Sequence, residues 1–132
     1  MAAVAVLESN KLGQFDPRRK ILTLKQLIPI VEDLKQEDRK VVATTGHFDI
    51  LCRGYTDHLA LAALQGNVLI VGINSDESVR RPNIPGRPIN SEDDRAFVLA
   101  ALASVDLVCI FDGHPDDWVS MLQPDVYVKG EK

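Results

Sequence analysis

Between a β-branched run, Lys40-Val41-Val42-Ala43-Thr44-Thr45, and a helix-like run from Tyr55 to Leu64 lies the turn Gly46-His47-Phe48-Asp49-Ile50-Leu51-Cys52-Arg53-Gly54. A strand, a glycine-bearing turn and a helix in that order present backbone N–H groups and the positive end of a helix to an anion, above all to phosphate. Gly46 permits a tight turn and close approach of the backbone. Phe48 is expected to pack beneath the loop, and Asp49 to fix it by accepting hydrogen bonds from backbone donors. Gly54 opens the helix, which makes the amides of residues 54 to 57 the expected phosphate cradle. An ordinary strand-to-helix connection also carries glycine at such a corner. Phe48-Asp49 in this context favours the functional reading.

The elements that would hold this loop are legible as an alternation. Thr23 reads as the N-cap of a helix over 24–36, with Leu27, Ile28, Val31 and Leu34 on one face; Pro29 in its second turn argues for a later start. Residues 41–45, 68–73, 105–111 and 126–128 read as strands, and 55–64, 91–103 and 116–122 as helices. Ser91 is the N-cap of the 91–103 helix, ahead of acidic Glu92, Asp93 and Asp94 in its first turn. Strands that are apolar at every position are covered on both faces, as in a parallel sheet. The pattern predicts an α/β fold, a Rossmann-like doubly wound parallel sheet in three layers, α/β/α. Ligands in such sheets bind beyond the carboxyl ends of the strands, so the loops to read are 45–55, 74–90, 111–116 and 129–132. Residues 1–20 show no sustained period and read as a poorly structured lead-in, with Ile21 and Leu22 as a short extended piece. Residues 21–132 read as one domain.

Gly46-x-Phe48-Asp49-x-x-x-x-Gly54 resembles the signature of the cytidylyltransferase-like nucleotidyltransferases, Gly-x-Phe-Asp-x-x-His-x-Gly-His. Asn74-Ser75-Asp76, Arg87-Pro88-Ile89-Asn90, Glu92-Asp93-Asp94-Arg95, Val105-Asp106-Leu107-Val108 and Gln123-Pro124-Asp125-Val126-Tyr127-Val128-Lys129-Gly130 extend the resemblance over about residues 20 to 130. Together these blocks are similar to the nucleotidyltransferase domain of bacterial heptose-phosphate adenylyltransferases, the second half of ADP-heptose synthase. The resemblance implies the strand order of that family. It also implies attack of a sugar phosphate oxygen on the α-phosphorus of ATP or CTP, with release of pyrophosphate and with Mg2+ bridging the phosphates. No protein metal ligand is implied, and a homodimer is common in the family. It places Thr45, Gly46, Phe48, Asp49, Cys52, Gly54, Asn74, Asp76, Arg80 and Lys129 around the nucleotide. His47, Tyr55 and Arg87 are the expected donors in catalysis, and Arg95 lies near the acceptor or braces the site.

The chain departs from that signature where charge matters. Cys52 and Tyr55 stand where the family has histidines, and Asn83-Ile84 stands where this branch has Lys-Gly. A thiol is a weak donor and a phenol a neutral one. Arg80, Arg81 or Arg87 is the expected source of replacement charge. The family's Ser/Thr-rich triphosphate segment has no counterpart before Lys132, so the sequence is either a shortened piece or a relative lacking part of the site. A nucleotidyltransferase and a relative that binds nucleotide or a partner protein without turnover both remain open. Of the imidazoles, His47 is the best placed for substrate. His58 could replace the lost ring but reads better as a partly buried surface histidine, and His114 as turn chemistry. Cys52 has no base motif to make it a nucleophile, and Trp118 reads as a packing residue.

Composition sets outer bounds. At 132 residues, with 45% apolar and 26% charged residues, the chain can bury a core without disulfides. Its net charge is −4, from 15 basic and 19 acidic residues, which gives no electrostatic footprint for duplex nucleic acid. Two cysteines make no disulfide framework or zinc site. The start Met1–Leu7 lacks a basic flank and meets Glu8 at once, a poor signal peptide. No apolar run reaches the roughly 20 residues of a membrane span. The expectation is a cytoplasmic protein with small-molecule partners and with neither nucleic acid nor membrane among them.

Overall fold

A computed structural model describes Leu7, residues 15–80 and residues 85–129. Helix α1 (Leu24–Gln36) starts where the sequence predicts. Thr23 accepts from the Gln26 amide while the Gln26 side chain accepts from the Thr23 amide, a reciprocal capping box. Pro29 does not delay that start. It lies on the exposed face, where the Lys25 carbonyl it leaves unbonded can be hydrated.

Strand β1 (Val41–Gly46), helix α2 (Arg53–Ala63), strand β2 (Val68–Asn74), helix α3 (Asp76–Arg80), helix α4 (Glu92–Ala100), strand β3 (Leu107–Phe111), helix α5 (Pro115–Leu122) and strand β4 (Val126–Lys129) follow. All strand pairs are parallel and the order is β3-β2-β1-β4. Every residue of β2 is buried, as its unbroken apolar run requires. Alternation along β1 divides the core in two. Val41 and Ala43 pack with α1 and α5 (Leu27, Val31, Leu34, Trp118, Leu122), and Val42 packs with α2 and α4 (Leu59, Ala62, Ala96, Leu99). The fold is therefore the three-layer doubly wound sheet that the sequence predicts.

Four local differences have physical causes. Helix α3 falls inside the stretch read as the loop 74–90; Ser75 caps it through the Ser78 amide, and five residues are too few to show a helical period. Strand β3 begins at Leu107 and not at Val105, because the Val105 amide turns back to the Leu102 carbonyl. Helix α5 begins one residue early, at Pro115, with His114 Nδ1 accepting from the Asp116 amide, so His114 is a helix cap. The lead-in reading of residues 1–20 is corrected at its end. Pro17–Lys20 form a 3-10 turn capped by Asp16, and buried Lys20 donates to the carbonyls of Val105 (2.7 Å) and Leu102 (3.3 Å). Leu7 is buried in the α1–α5 core. Ile21 bridges to Val108 on the outer side of β3. No helix among the described residues is long and apolar enough to cross a membrane.

Trp118 is a packing residue, 1% exposed and stacked on Phe111 with ring centroids 5.4 Å apart. Its ring fills the space over Gly72, where an added Cβ would lie 2.7 Å from the indole. Gly72→Ala must displace a ring locked in the core, so it is expected to destabilise by about 1–3 kcal/mol. Urea denaturation checks this: the midpoint should fall while the slope is unchanged.

Candidate active site at the strand-order switch

The chain lays β2 and β3 outward from β1 and then returns to place β4 on the other side of β1. The crevice beyond the carboxyl ends of β1 and β4 is therefore the switch point, where open α/β sheets bind ligands. Gly46 ends β1 there, and Lys129, exposed at the end of β4, pairs in register with Thr45.

The loop that leaves β1 folds over Phe48. This residue is 6% exposed with φ 49°, and a Cβ on Gly46 would meet its ring at 2.8 Å. Glycine is thus required at Gly46 by close approach. Tyr55 sits edge-on to Phe48, with centroids 5.6 Å apart at 70°, and stays 40% exposed. Cys52 is the N-cap of α2, exposed, and its thiol caps nothing. The amides of Tyr55 and Thr56 both donate to the Cys52 carbonyl at 3.1 Å. In the first turn of α2, among the described residues, the amides of Arg53 and Gly54 make no hydrogen bond. Of the expected cradle of residues 54 to 57 the Gly54 amide is therefore open, while those of Tyr55 and Thr56 turn to Cys52. An uncapped helix start with two free N–H groups favours an anion.

Asp49 does more than fix its own turn. Its carboxylate accepts from the amides of Ile89 and Asn90, each at 2.8 Å, and from Arg87 at 3.2 Å. The Asn90 side chain donates back to the Asp49 carbonyl at 2.6 Å. Burial raises the Asp49 pKa, but the Asn90 and Ile89 amides and the Arg87 charge outweigh it, and the net shift is downward.

Arg95 is 1% exposed. Its guanidinium donates to the carbonyls of Asn90 (3.0 Å), His47 (2.9 Å) and Asn74 (2.9 Å) and to the Asp76 carboxylate (2.7 Å). Of its two expected roles the geometry is that of the brace, with four oxygens holding it inside the protein and away from an acceptor in solvent. Asp76, in turn, has its amide on Glu92 at 2.9 Å. Both Asp76 and buried Asn74 thus serve the brace, through a carboxylate and a carbonyl.

His47 lies on the surface of this loop, yet partial loss of hydration and then the Arg95 charge lower its pKa from 6.5, against Asp49. The shift favours the neutral ring, which donates through one nitrogen only. Two threonines stitch β4 to β1. Thr45 Oγ1 is 2.6 Å from the Tyr127 hydroxyl, and Thr44 donates to the Val128 carbonyl at 2.6 Å while lying 3.2 Å from His58 Nε2. Arg80 is exposed at the end of α3. Arg81, Asn83, Ile84, Gly130 and the loop beyond Lys129 lie outside the described residues. A cleft of about 270 Å³ lined by Lys35, Asp38, Arg39, Lys40 and Asp125 sits at the amino-terminal end of β1 and β4. It is at the wrong end of the sheet for this chemistry.

Sequence reading missed Asn90, Glu92, Thr44 and Tyr127 as members of the network. For Asn90, Glu92 and Tyr127 a signal was present, since all three stand in the recognised blocks; Thr44 carries none before the fold is known.

Two consequences are testable. Asp49→Asn is expected to cost on the order of 1–2 kcal/mol at neutral pH. Because the folded pKa of Asp49 is depressed, that contribution is full above its unfolded value of about 3.9 and is lost as pH falls through the lower folded value. Denaturation curves of parent and variant should therefore converge below about pH 4. Arg95→Met leaves Asp76 unpaired and three carbonyls without a donor, an expected loss of about 3–5 kcal/mol by urea denaturation.

Residues 43–132 match the family Cytidylyltransferase-like. The bifunctional protein HldE of Pseudomonas fluorescens is 48% identical over 132 residues, covering 98% of this chain and 28% of that relative. HldE of Helicobacter pylori Shi470 is 44% identical over 130 residues, covering 98% of this chain and 27% of the relative. The chain thus spans less than a third of the length of these proteins. Among solved structures, the lipopolysaccharide core biosynthesis protein of Thermoplasma volcanium superposes with a TM-score of 0.60 at 28% identity, over 67% of this chain and 72% of that one. With its glycine-phenylalanine-aspartate loop at the switch point of a parallel sheet, the chain belongs to the cytidylyltransferase-like family.

Proposed function

We propose that this domain binds a nucleoside triphosphate, ATP in the first instance and CTP as the alternative base, and transfers its nucleotidyl group to a sugar phosphate. An acceptor phosphate oxygen bonds to the α-phosphorus as the bond from that phosphorus to the bridging β-phosphate oxygen breaks, and pyrophosphate leaves. The observation that carries this reading is the uncapped start of α2 beside the β1–β4 crevice, with the Arg53 and Gly54 amides free among the described residues. The resemblance of the sequence blocks to heptose-phosphate adenylyltransferases makes ATP and a heptose phosphate the first substrates to test.

The chain's own contribution is position and charge. The two amides and the helix end receive the phosphates. The His47 ring and the Tyr55 hydroxyl are the donors of the loop and the start of α2, Lys129 supplies charge from β4, and Arg87 supplies it from the 85–90 segment. Among the described residues no group of three or more His, Cys, Asp or Glu side chains could hold a metal ion. Mg2+ would therefore enter with the triphosphate and not on protein ligands, and when bound would supply neutralisation of phosphate charge.

One feature favours a second reading, nucleotide binding without useful turnover. Tyr55 stands where the family places a histidine and is packed edge-on against Phe48. A phenol offers one neutral donor where an imidazolium offers a charged one, and losing such a donor costs on the order of 100- to 1,000-fold in rate.

Calorimetry with ATP and CTP, and pyrophosphate release with a panel of sugar phosphates, test both readings. The parent is expected to bind ATP and release pyrophosphate slowly and only with acceptor present. Tyr55→His is expected to raise the rate on the order of 100-fold. Binding without release in the parent selects the second reading; no heat with any nucleotide removes both.

A further inference from the structure

His58 lies one turn along α2 from Tyr55 and half-buried against the β1–β4 seam. The Thr44 hydroxyl has a single hydrogen, and at 2.6 Å it is given to the Val128 carbonyl. The contact of the same oxygen with His58 Nε2 at 3.2 Å must then be donated by the histidine. This fixes the Nε2–H tautomer. One buried hydroxyl thereby joins three elements, β1 at its centre, β4 through a carbonyl and α2 through an imidazole. Those three elements bound the crevice in which the nucleotide site is placed.

We infer that His58 is a positioning residue: through Thr44 it docks α2 on the β1–β4 seam and so aims the free amides of Arg53 and Gly54 at the bound phosphate. This rests on the nucleotide-site reading for its ligand, but the docking itself does not. Among the described residues no other side-chain hydrogen bond joins α2 to the sheet, so rotation or sliding of α2 on its apolar face (Leu59, Ala62) is opposed by this bond. Helix-on-sheet packing alone fixes distance better than register, because apolar contact has no direction.

The test uses His58→Phe, which keeps a ring and removes the donor, and Thr44→Val, which keeps shape and removes the hydroxyl. His58→Gln and Thr44→Ser are the conservative rescues, since a glutamine amide nitrogen can take the place of Nε2. Hydrogen exchange reads the first turn of α2 through the Tyr55 and Thr56 amides, and calorimetry reads ATP affinity. Loss of one hydrogen bond predicts exchange faster by about three- to tenfold and ATP affinity weaker by a similar factor in His58→Phe and Thr44→Val. The double variant should be no worse than either single change. His58→Gln and Thr44→Ser should approach the parent. A role in stability alone would lower the unfolding midpoint and leave ATP affinity of the folded protein untouched.

Unchanged exchange and unchanged ATP affinity in folded His58→Phe overturn the inference. So does an Nδ1–H tautomer in nitrogen NMR spectra, because Nε2 would then be an acceptor and the hydroxyl cannot donate twice. If Thr44→Val does not fold, His58→Phe with its glutamine rescue decides alone. Faster exchange in the variants of a parent that binds no nucleotide upholds the docking and removes the nucleotide reading instead.

Discussion

A guanidinium with no exposed surface is costly to bury, and the protein must return that cost in hydrogen bonds. Arg95 does so with oxygens from four places: the loop after β1, the end of β2, the start of α3 and Asn90, just before the Ser91 cap of α4. Only one of the four is a carboxylate. The other three are backbone carbonyls at points where the chain leaves regular structure, which would otherwise face the interior without donors. The planar fork suits this task in a way a lysine would not, since its N–H groups point in fixed and divergent directions. The same charge acts on His47, whose carbonyl it holds and whose ring it helps to keep neutral.

From that brace the rest of the site follows by contact. Asn90, whose carbonyl meets Arg95, also joins Asp49 by its amide and by its side chain. Asp49 therefore ties the 87–90 segment to the turn between β1 and α2, and Arg95 ties the same turn to β2. The turn is held from two sides while its inner face rests on Phe48. What faces solvent around it includes the Arg87 side chain, 42% exposed, and the exposed side chains of His47, Cys52, Tyr55 and Lys129. A frame held by backbone bonds with polar tips facing a crevice is the arrangement that positions reactants without reorganising.

The parts of this fold that sequence could supply are those in which a residue's own chemistry is decisive. An unbroken apolar run is buried on both faces wherever it goes, so β2 was legible in full and β1 nearly so. Thr23 and Ser91 announce helix starts because their oxygens bond locally. Gly46 and Phe48 were legible as a pair because the glycine's lack of a side chain is what the ring needs. By contrast, Ser75 and α3 were missed because a single turn shows no period. Residues 15–20 were read as lead-in because Lys20, a cation near the start, gives no hint that two carbonyls 82 and 85 residues later will receive it. His58 is the partly buried histidine the sequence suggests, but its contact with Thr44, 14 residues back, shows only once the helix is packed on β1.

Charge at the site is where sequence and geometry have to be argued together. With Cys52 and Tyr55 in place of imidazoles, positive charge near the crevice comes from Arg87, Lys129, Arg53 and the end of α2. Arg87 is paired with Asp49, but at 3.2 Å and with much of its side chain in water the pair is worth at most about 1 kcal/mol. Phosphate carries more charge than one carboxylate and offers the fork a matching geometry, so it competes well for that guanidinium. The 87–90 segment would not come loose in the exchange, because the Ile89 and Asn90 amides hold Asp49 independently of Arg87. Asp49 thus separates two duties that a single ion pair would confuse. Its amide bonds keep the loop in place, and its weak pairing keeps a cation near the crevice without committing it.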